Sequence, residues 1–330
     1  MKDKKPSLLK TLGTLLAWAF LITLPAAVFA ADAYPNRTVR LIVPFAPGGA
    51  NELASRLIAS ELSERLGKQV IVDNRPGGGT VIGTEMVANA APDGYTLLFT
   101  NAFTATPAIH KKLPYDPLKS FVPIVKVGST PYIIVVHASV PAHSLKELIA
   151  LAKQKPGQLI FGGGGTGSNQ HLAIELFKIM ARIDFKIVQF KGGGPQFIDL
   201  LGGHSHVGFQ SIGTALPQVK SGKIRILATG GKKRAINLPD VPTVAEAGVP
   251  GYEATTWWGV YAPAGTPAPI VDRLNKELKT ILASEEVKKR FRTFDAEVDY
   301  LPLAEFGAFL KEDMEKWARV VKMASIKLEE

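Results

Sequence analysis

Two glycine-rich turns are the segments of this sequence best suited to binding chemistry. Gly48-Gly49-Ala50-Asn51 follows an apolar stretch and opens a helical pattern, and Gly162–Ser168 repeats this arrangement near the middle of the chain. Such a turn presents backbone N–H groups at the start of a helix, where they hold anions without a charged side chain, provided that no Cβ keeps the ligand away. The donors predicted for the second turn are Gly164, Gly165, Gly167 and Ser168. Taken alone, both turns are more often ordinary strand-to-helix connections.

Arrangements typical of catalysis or metal binding are sparse. The sequence contains no G-x-S-x-G, H-E-x-x-H or Walker A pattern, and its lack of cysteine excludes thiolate metal sites and cysteine nucleophiles. His204 and His206 could share one face of a strand and hold a metal, although such a pair more often lies in a surface loop. His171 and Glu175 lie one helical turn apart, a spacing more typical of a hydrogen-bonded pair. We therefore expect no catalytic residue, no metal and no cofactor; a weak likeness of Gly162–Gly167 to a dinucleotide turn lacks the acidic ribose partner.

The elements that must position these turns alternate between strand, turn and helix. Apolar β-branched runs predict strands, and Ser144 with Glu147 forms a capping box that opens a helix. This alternation indicates right-handed βαβ units with helices on both faces of each sheet, and two successive sets of units predict two lobes separated by a crevice. The predicted strands are Val39–Phe45, Val70–Val72, Thr96–Thr100, Tyr132–Val136, Leu159–Phe161, Lys186–Phe190, Val207–Gln210 and Ile224–Ala228. The predicted helices include Asn51–Leu66, Ser168–Met180 and two C-terminal amphipathic helices.

The N-terminus is predicted to be an export signal. Four lysines lie within Met1–Lys10, an apolar stretch follows from Leu12 to Phe29, and Val28-Phe29-Ala30 has the small-residue pattern of a cleavage site. We expect a signal peptide removed after about Ala30 and a periplasmic protein; an uncleaved anchor is the alternative.

Charge and composition exclude further classes of protein. The chain has 330 residues, 46% of them hydrophobic, which excludes intrinsic disorder. Its formal charge of +10 falls to +7 without the four lysines and one aspartate of the leader. Apart from short runs such as Lys232-Lys233-Arg234, the basic residues are scattered, so we expect no nucleic acid partner. Mild steering of anionic ligands and an evenly solvated surface both remain compatible with this charge.

Longer motifs carry a resemblance to a known family. They occur in order over essentially the whole chain that follows the leader: Tyr34–Pro35, Val39–Gly49, Val72–Gly77, Ala91–Leu97, Lys112–Pro117, Asp199–Gly203, Leu238–Gly248 and Ala262–Pro267. In these stretches the sequence resembles the extracytoplasmic solute receptors of tripartite tricarboxylate transporters, the Bug (Bordetella uptake gene) family.

The resemblance implies an α/β, two-lobed periplasmic-binding-protein fold of the Venus flytrap (type II-like) kind, in which each lobe is a mainly parallel sheet flanked by helices. It also implies a receptor that captures a small carboxylate and delivers it to the membrane permease subunits. In this family two loops grip one carboxylate, and they correspond here to Phe45–Glu52 and Gly162–His171. The ligand-binding residues implied are Phe45, Ala46, Pro47, Gly48, Gly49, Ala50, Asn51, Thr100, Asn101, Ala102, Gly163, Gly164, Thr166, Gly167, Ser168, His171, Lys191, Gly192, Gln210 and Ser211, with Gly193 completing the wall.

Three departures from the family pattern bear on the ligand. Gly163 and Gly164 replace the serines common in relatives, so backbone N–H groups must suffice there. Gln210 replaces a common aspartate that could pair with an ammonium group, which favours di- or tricarboxylates or aromatic acids over amino acids. Glu52 replaces a common aspartate and keeps a negative charge near the helix start.

Binding is expected to close a hinge. The lobes are predicted as residues 31–129 with 255–330 and residues 130–254, with chain crossings near Gly128–Thr130 and Glu253–Trp258. Trp257 and Trp258 lie at the second crossing, so closure is expected to alter tryptophan fluorescence. A monomer is expected. The alternatives are a module that presents its ligand to a signalling partner and an exported α/β hydrolase or lyase.

Overall fold

The computed structural model describes residues 34–326, whose strands form two mixed sheets. The strands are β1 (Val39–Val43), β2 (Val70–Asn74), β3 (Thr96–Thr100), β4 (Phe121–Pro131), β5 (Ile133–His137), β6 (Ile160–Gly163), β7 (Lys186–Gln189), β8 (Val207–Gln210), β9 (Ile224–Thr229), β10 (Thr255–Pro263) and β11 (Glu297–Leu301). The six-stranded sheet has the order β11-β4-β10-β3-β1-β2 and the five-stranded sheet the order β7-β6-β8-β5-β9. The two predicted lobes therefore each have their own sheet. The exact limits of the lobes remain a prediction.

Ten α-helices lie among the described residues. They are α1 (Ala50–Leu66), α2 (Val81–Ala88), α3 (Thr106–Ile109), α4 (Leu145–Gln154), α5 (Asn169–Ala181), α6 (Gly193–Leu201), α7 (Ile212–Lys220), α8 (Ala268–Ala283), α9 (Glu285–Arg292) and α10 (Leu303–Met323). The predicted capping box opens α4: the Ser144 side chain accepts from the Glu147 amide at 3.2 Å. The Glu147 carboxylate accepts from the amide of His143, one residue before the cap. Among residues 34–326, no helix is long and apolar enough to cross a membrane.

Only some of the neighbouring strands in each sheet are parallel. β1 pairs in parallel with β2 and β3, and β6 pairs in parallel with β7 and β8, as the βαβ pattern predicts. The antiparallel pairs come from β4, β5, β9, β10 and β11. The sequence pattern predicts no strand in the segments that form β4, β10 and β11. Pro123 and Gly128 interrupt the apolar pattern of β4, and two register shifts interrupt the pairing of β10 with β4.

The second sheet is buried on both faces. Along β5, Ile134 and Val136 face a core that includes Phe161 and Phe177, whereas Ile133 and Val135 face the opposite core. Successive side chains of a strand point to opposite faces, so a continuous apolar run such as this one requires packing on both sides.

The two predicted chain crossings are neighbours in space. β4 and β10 run antiparallel, with Thr130 opposite Thr256 and Ser129 opposite Trp257, and the chain then passes through Tyr132 into β5 of the second sheet. Trp257 and Trp258 are both buried. Hinge motion at these strands, and its effect on fluorescence, remain predictions.

Helix α10 belongs to both cores. Near its start, Phe306 and Leu310 pack with Trp257 in the core of the first sheet. Near its end, Trp317, Val320 and Val321 join the core of the second sheet. The apolar stripe predicted on this helix is therefore shared between the two halves of the molecule.

Candidate ligand-binding cleft

A cleft opens where strands of both sheets end. Phe45 follows β1, Asn101 follows β3, Gly164 follows β6 and Gln210 ends β8. The carboxyl ends of parallel strands are the usual place for ligands in α/β proteins. The lining residues are Phe45, Ala46, Gly49, Ala50, Asn51, Asn101, Tyr132, Gly164, Ser168, Gln170, Gly193, Phe209, Gln210, Ser211 and Thr256. None of these fifteen side chains carries a formal charge.

Four helices begin at this cleft. Ala50 and Asn51 open α1, Gly193 opens α6, and Ser168 and Ser211 are the residues just before α5 and α7. The first amides of a helix have no acceptor within it, and the helix dipole adds positive potential at this end. Within residues 34–326, a side chain caps only α5 among these four, through Ser168. The cleft is therefore rich in N–H donors although no cationic side chain reaches it.

The turns of the two lobes touch across the cleft. The amide of Ala46 donates to the carbonyl oxygen of Lys191 at 3.0 Å. Gly192 adopts a positive φ of 132°, and a Cβ there would come within 3.2 Å of the Ala46 nitrogen. Glycine is thus required at 192 both for its backbone conformation and for the close approach of the opposite loop.

Glutamine side chains lie against three consecutive glycines. A Cβ on Gly162 would come within 2.6 Å of Gln196 Nε2, and a Cβ on Gly163 or Gly164 would collide with the amide oxygen of Gln189 or Gln170. The amide of Gln170 reaches the cleft and donates to the carbonyl oxygen of Phe209. Gln170 thus adds a side-chain amide beside Gly164, whereas the prediction that backbone N–H groups suffice at Gly163 and Gly164 stays a prediction.

A chain of polar side chains forms another wall. The Asn101 amide donates to Thr256 Oγ1, and Thr256 also bonds the hydroxyl of Tyr132. Burial raises the pKa of Tyr132, so its hydroxyl is neutral at physiological pH. These residues come from the end of β3, from β10 and from the connection between β4 and β5.

Ten of the twenty predicted ligand-binding residues line the cleft. They are Phe45, Ala46, Gly49, Ala50, Asn51, Asn101, Gly164, Ser168, Gln210 and Ser211. The other ten lie outside its lining: Pro47, Gly48, Thr100, Ala102, Gly163, Thr166, Gly167, His171, Lys191 and Gly192. Several of these instead shape the loops. Gly48 donates to the Glu52 carboxylate at 2.6 Å, while Thr166 and Lys191 line a neighbouring cavity.

Four lining residues were missed entirely by sequence analysis: Tyr132, Gln170, Phe209 and Thr256. Gln170 lies inside the predicted loop Gly162–His171, and Thr256 lies inside the predicted crossing Glu253–Trp258. Tyr132 begins a predicted strand, and Phe209 immediately precedes Gln210. Their proximity in sequence to predicted segments was the available signal, but nothing in the sequence places their side chains on the cleft side.

His171 and His206 each accept a hydrogen bond from a backbone amide. His171 is buried, its Nδ1 accepts from the amide of Gly167 at 3.3 Å, and its Nε2 lies 3.8 Å from a Glu175 oxygen. Burial lowers the pKa of His171 to about 4, so the ring is neutral. His206 Nδ1 accepts from the amide of Ile160. Among residues 34–326, no cluster of three or more His, Asp or Glu side chains could hold a metal ion.

Two sheet-based lobes that meet over a cleft of helix N-termini define the class of protein: a two-lobed solute-binding protein of the periplasmic type. The family model described as the tripartite tricarboxylate transporter family receptor matches residues 54–326, and the chain belongs to that family. It is a family of transporter receptors and not of enzymes.

Individual relatives agree with this assignment. Protein BugT of Bordetella pertussis is 35% identical over 97% of this chain and 98% of its own length. Among solved structures, Rpa4515 of R. palustris with adipate has a TM-score of 0.86 at 36% identity, covering 89% of this chain and 99% of that one. MatC from Rhodopseudomonas palustris with bound malate has a TM-score of 0.82 at 31% identity, covering 87% and 100%. The periplasmic binding protein BugD has a TM-score of 0.85 at 33% identity, covering 90% and 100%.

Proposed function

We propose that this chain captures a small carboxylate in the cleft and delivers it to the permease subunits of a tripartite tricarboxylate transporter. The observation that carries the proposal is the convergence of four helix N-termini, those of α1, α5, α6 and α7, on a cleft without charged side chains. Each N-terminus stabilises a nearby anion by about 0.3–1 kcal/mol, and by up to about 2 kcal/mol where it is partly buried.

In the proposed binding mode, loops of the two lobes hold the ligand from opposite sides. Backbone donors of Ala50 and Asn51 approach the ligand from the first lobe, and those at the start of α5, α6 and α7 approach it from the second. A ligand held by both lobes favours the closed arrangement by its extra contacts there, which gives the hinge between β4 and β10 its role. Water can complete the shell where the backbone does not reach.

Relatives support a carboxylate as the ligand class. Two solved relatives with named ligands hold adipate and malate, and both are dicarboxylates. Their identities to this chain exceed 30% over more than four-fifths of its length. The absence of an acidic side chain from the cleft lining also disfavours amino acids, whose ammonium group needs a negative partner.

Location and assembly are part of the same proposal. The first thirty residues would direct export, and cleavage after about Ala30 would release the receptor into the periplasm as a monomer. These residues lie outside those that the structure describes. Delivery would be tested by comparing uptake of labelled ligand in cells with and without this chain.

Titration calorimetry tests the binding step. The processed chain is titrated with succinate, adipate, malate, citrate and benzoate, and then with the amide of each acid that binds. We expect at least about a hundredfold loss of affinity when the gripped carboxylate becomes an amide, since the helix dipoles then act on a neutral group. Equal affinities for acid and amide contradict the proposal. Native mass spectrometry of freshly purified protein identifies any retained ligand.

A further inference from the structure

The cleft contains acceptors as well as donors, and two of its buried side-chain acceptors have no hydrogen-bond partner among residues 34–326. Asn101 is only 5% exposed, and within residues 34–326 its Oδ1 makes no hydrogen bond. The same holds for Asn51 Oδ1, which is also buried. A buried carbonyl oxygen without a donor costs free energy, so native proteins satisfy nearly all such atoms with protein, water or ligand.

The side-chain amides of Asn101 and Gln210 each donate from the nitrogen to a neighbouring side chain. Asn101 Nδ2 donates to Thr256 Oγ1, which leaves Oδ1 as the atom with free capacity. Gln210 Nε2 donates to Oε1 of Gln196, a residue fully buried behind it. Gln196 fits there because Gly162 and Gly208 lack a Cβ, which would come within 2.6 Å of its amide nitrogen. The Gln210 amide therefore still has its carbonyl oxygen and one N–H to offer a ligand.

A plain dicarboxylate cannot itself donate to these oxygens, because an ionised carboxylate only accepts hydrogen bonds. An ammonium group would donate to them, but it would also meet the positive ends of four helices in a cleft with no acidic side chain. A hydroxyl group donates without adding charge. Hydroxyl groups therefore match the unsatisfied acceptors of this cleft better than either alternative.

We infer that the ligand is a hydroxylated carboxylate, whose hydroxyl donates to Asn101 Oδ1 while its carboxylate lies at the helix N-termini. This inference rests on the proposed function and specifies its substrate class. Asn101 acts as a specificity-determining residue, and the Thr256 hydroxyl holds its amide in the required orientation. Gln196 positions the amide of Gln210 in the same way.

The test compares acids that differ only in hydroxylation. The processed chain is titrated with succinate, both malate enantiomers, tartrate and aspartate, and with adipate and galactarate as six-carbon equivalents. We expect a hydroxylated acid to bind at least about tenfold tighter than its parent acid at one chain length, because the parent leaves buried acceptors unpaired. We expect aspartate to bind at least about tenfold more weakly than the better malate enantiomer.

The possible results distinguish failure of the hydroxyl inference from failure of the proposed function. If succinate or adipate binds as tightly as every hydroxylated partner, the hydroxyl inference is overturned and the carboxylate receptor stands. If benzoate binds and none of these acids does, the inference is overturned and the carboxylate receptor stands; if no acid of either panel binds, the inference and the proposed function both fail. Tighter binding of aspartate than of malate overturns the inference in favour of an ammonium donor.

A variant assigns the discrimination to one residue. In Asn101→Leu, which keeps the side-chain size and removes the acceptor, the affinity ratio of the hydroxylated to the parent acid should fall to within about twofold of unity. Asn89→Leu is the matched control, because Asn89 is exposed outside the cleft and its replacement should leave the ratio unchanged. If Asn101→Leu keeps a native circular dichroism spectrum but lowers the affinity for both acids by the same factor, the assignment to Asn101 is overturned.

Discussion

The backbone at Gly194 lies so close to the carbonyl oxygen of Pro47 that a Cβ on Gly194 would collide with it. Pro47 belongs to the loop after β1 in the first lobe, and Gly194 belongs to the first turn of α6 in the second. The contact between the two lobes therefore depends on the absence of a side chain at one position far along the chain from the loop that it meets.

Adding a methyl group at this contact should impede closure. Gly194→Ala is expected to weaken binding of the best carboxylate at least about tenfold, because the lobes can no longer reach the distance at which both sets of amides grip the ligand. Calorimetry measures the loss, and small-angle scattering measures whether the ligand still compacts the protein. Gly307→Ala is the matched control: its Cβ meets nothing within 4 Å, and it lies inside α10. Equal affinities for the two variants would count against a closed grip.

The glutamine behind Gln210 should be energetically coupled to the glycine that makes room for it. Gly162→Ala places a Cβ within 2.6 Å of Gln196 Nε2 and should lower the free energy of unfolding by about 1–3 kcal/mol. In a Gln196→Ala background the clash is gone. There, Gly162→Ala should lower the free energy of unfolding by less than in the unmodified protein, with a difference of at least about 1 kcal/mol. Urea denaturation of the four proteins in this cycle measures the coupling. Additive losses would show that Gln196 does not fill the space of the missing Cβ.

The buried histidine should make stability depend on pH. Its pKa of about 4 in the folded protein lies below the ordinary value of 6.5, so the unfolded chain binds the proton more readily between these values. Its stabilising contribution is complete above pH 6.5 and is lost as the pH falls towards 4. Burial also raises the pKa of the neighbouring Glu175, which gives the opposite slope.

Removing the carboxyl group isolates this effect. We compare the free energy of unfolding of Glu175→Gln with that of Glu175→Gln/His171→Gln. The five other histidines and the remaining carboxyl groups contribute equally to both proteins, so their contributions cancel in the difference. The free energy of unfolding attributed to His171 should decrease by about 2 kcal/mol between pH 7 and pH 5. A pH-independent difference between the two proteins, or an NMR titration of His171 with a pKa near 6.5, contradicts the expectation.

Asp313 should be the most important carboxylate for the packing of α10. Its Oδ2 accepts from Thr104 Oγ1 at 2.6 Å, from Trp317 Nε1 at 3.0 Å and from Trp257 Nε1 at 3.2 Å. Asp313→Asn is expected to lower the free energy of unfolding by about 1–3 kcal/mol, because a neutral amide replaces the charged acceptor of three buried donors. Glu312→Gln removes the same charge from an exposed neighbour and should change stability by less than about 0.5 kcal/mol. Thermal unfolding of both variants provides the comparison.

The family and the general place of the site could be predicted from the sequence, because both depend on local patterns. Glycines between an apolar run and a helix pattern mark the loops at Gly48–Asn51 and Gly162–Ser168, and ordered motifs mark the family. Half of the predicted ligand-binding residues do line the cleft. The other half lie in or next to the same loops but outside the cleft lining, since the path of a loop's backbone and side chains follows from its packing.

The sequence by itself determined which backbone segments present free amides at a helix start, because a strand, a glycine turn and a helix start are adjacent in the chain. Only the tertiary structure decided that the starts of α1, α5, α6 and α7 converge, and that Tyr132 and Thr256 join them. It also decided how Asn101 and Gln210 are oriented, since their partners Thr256 and Gln196 lie 155 and 14 residues away. Contacts of that kind follow from strand order and lobe packing, which no local pattern specifies.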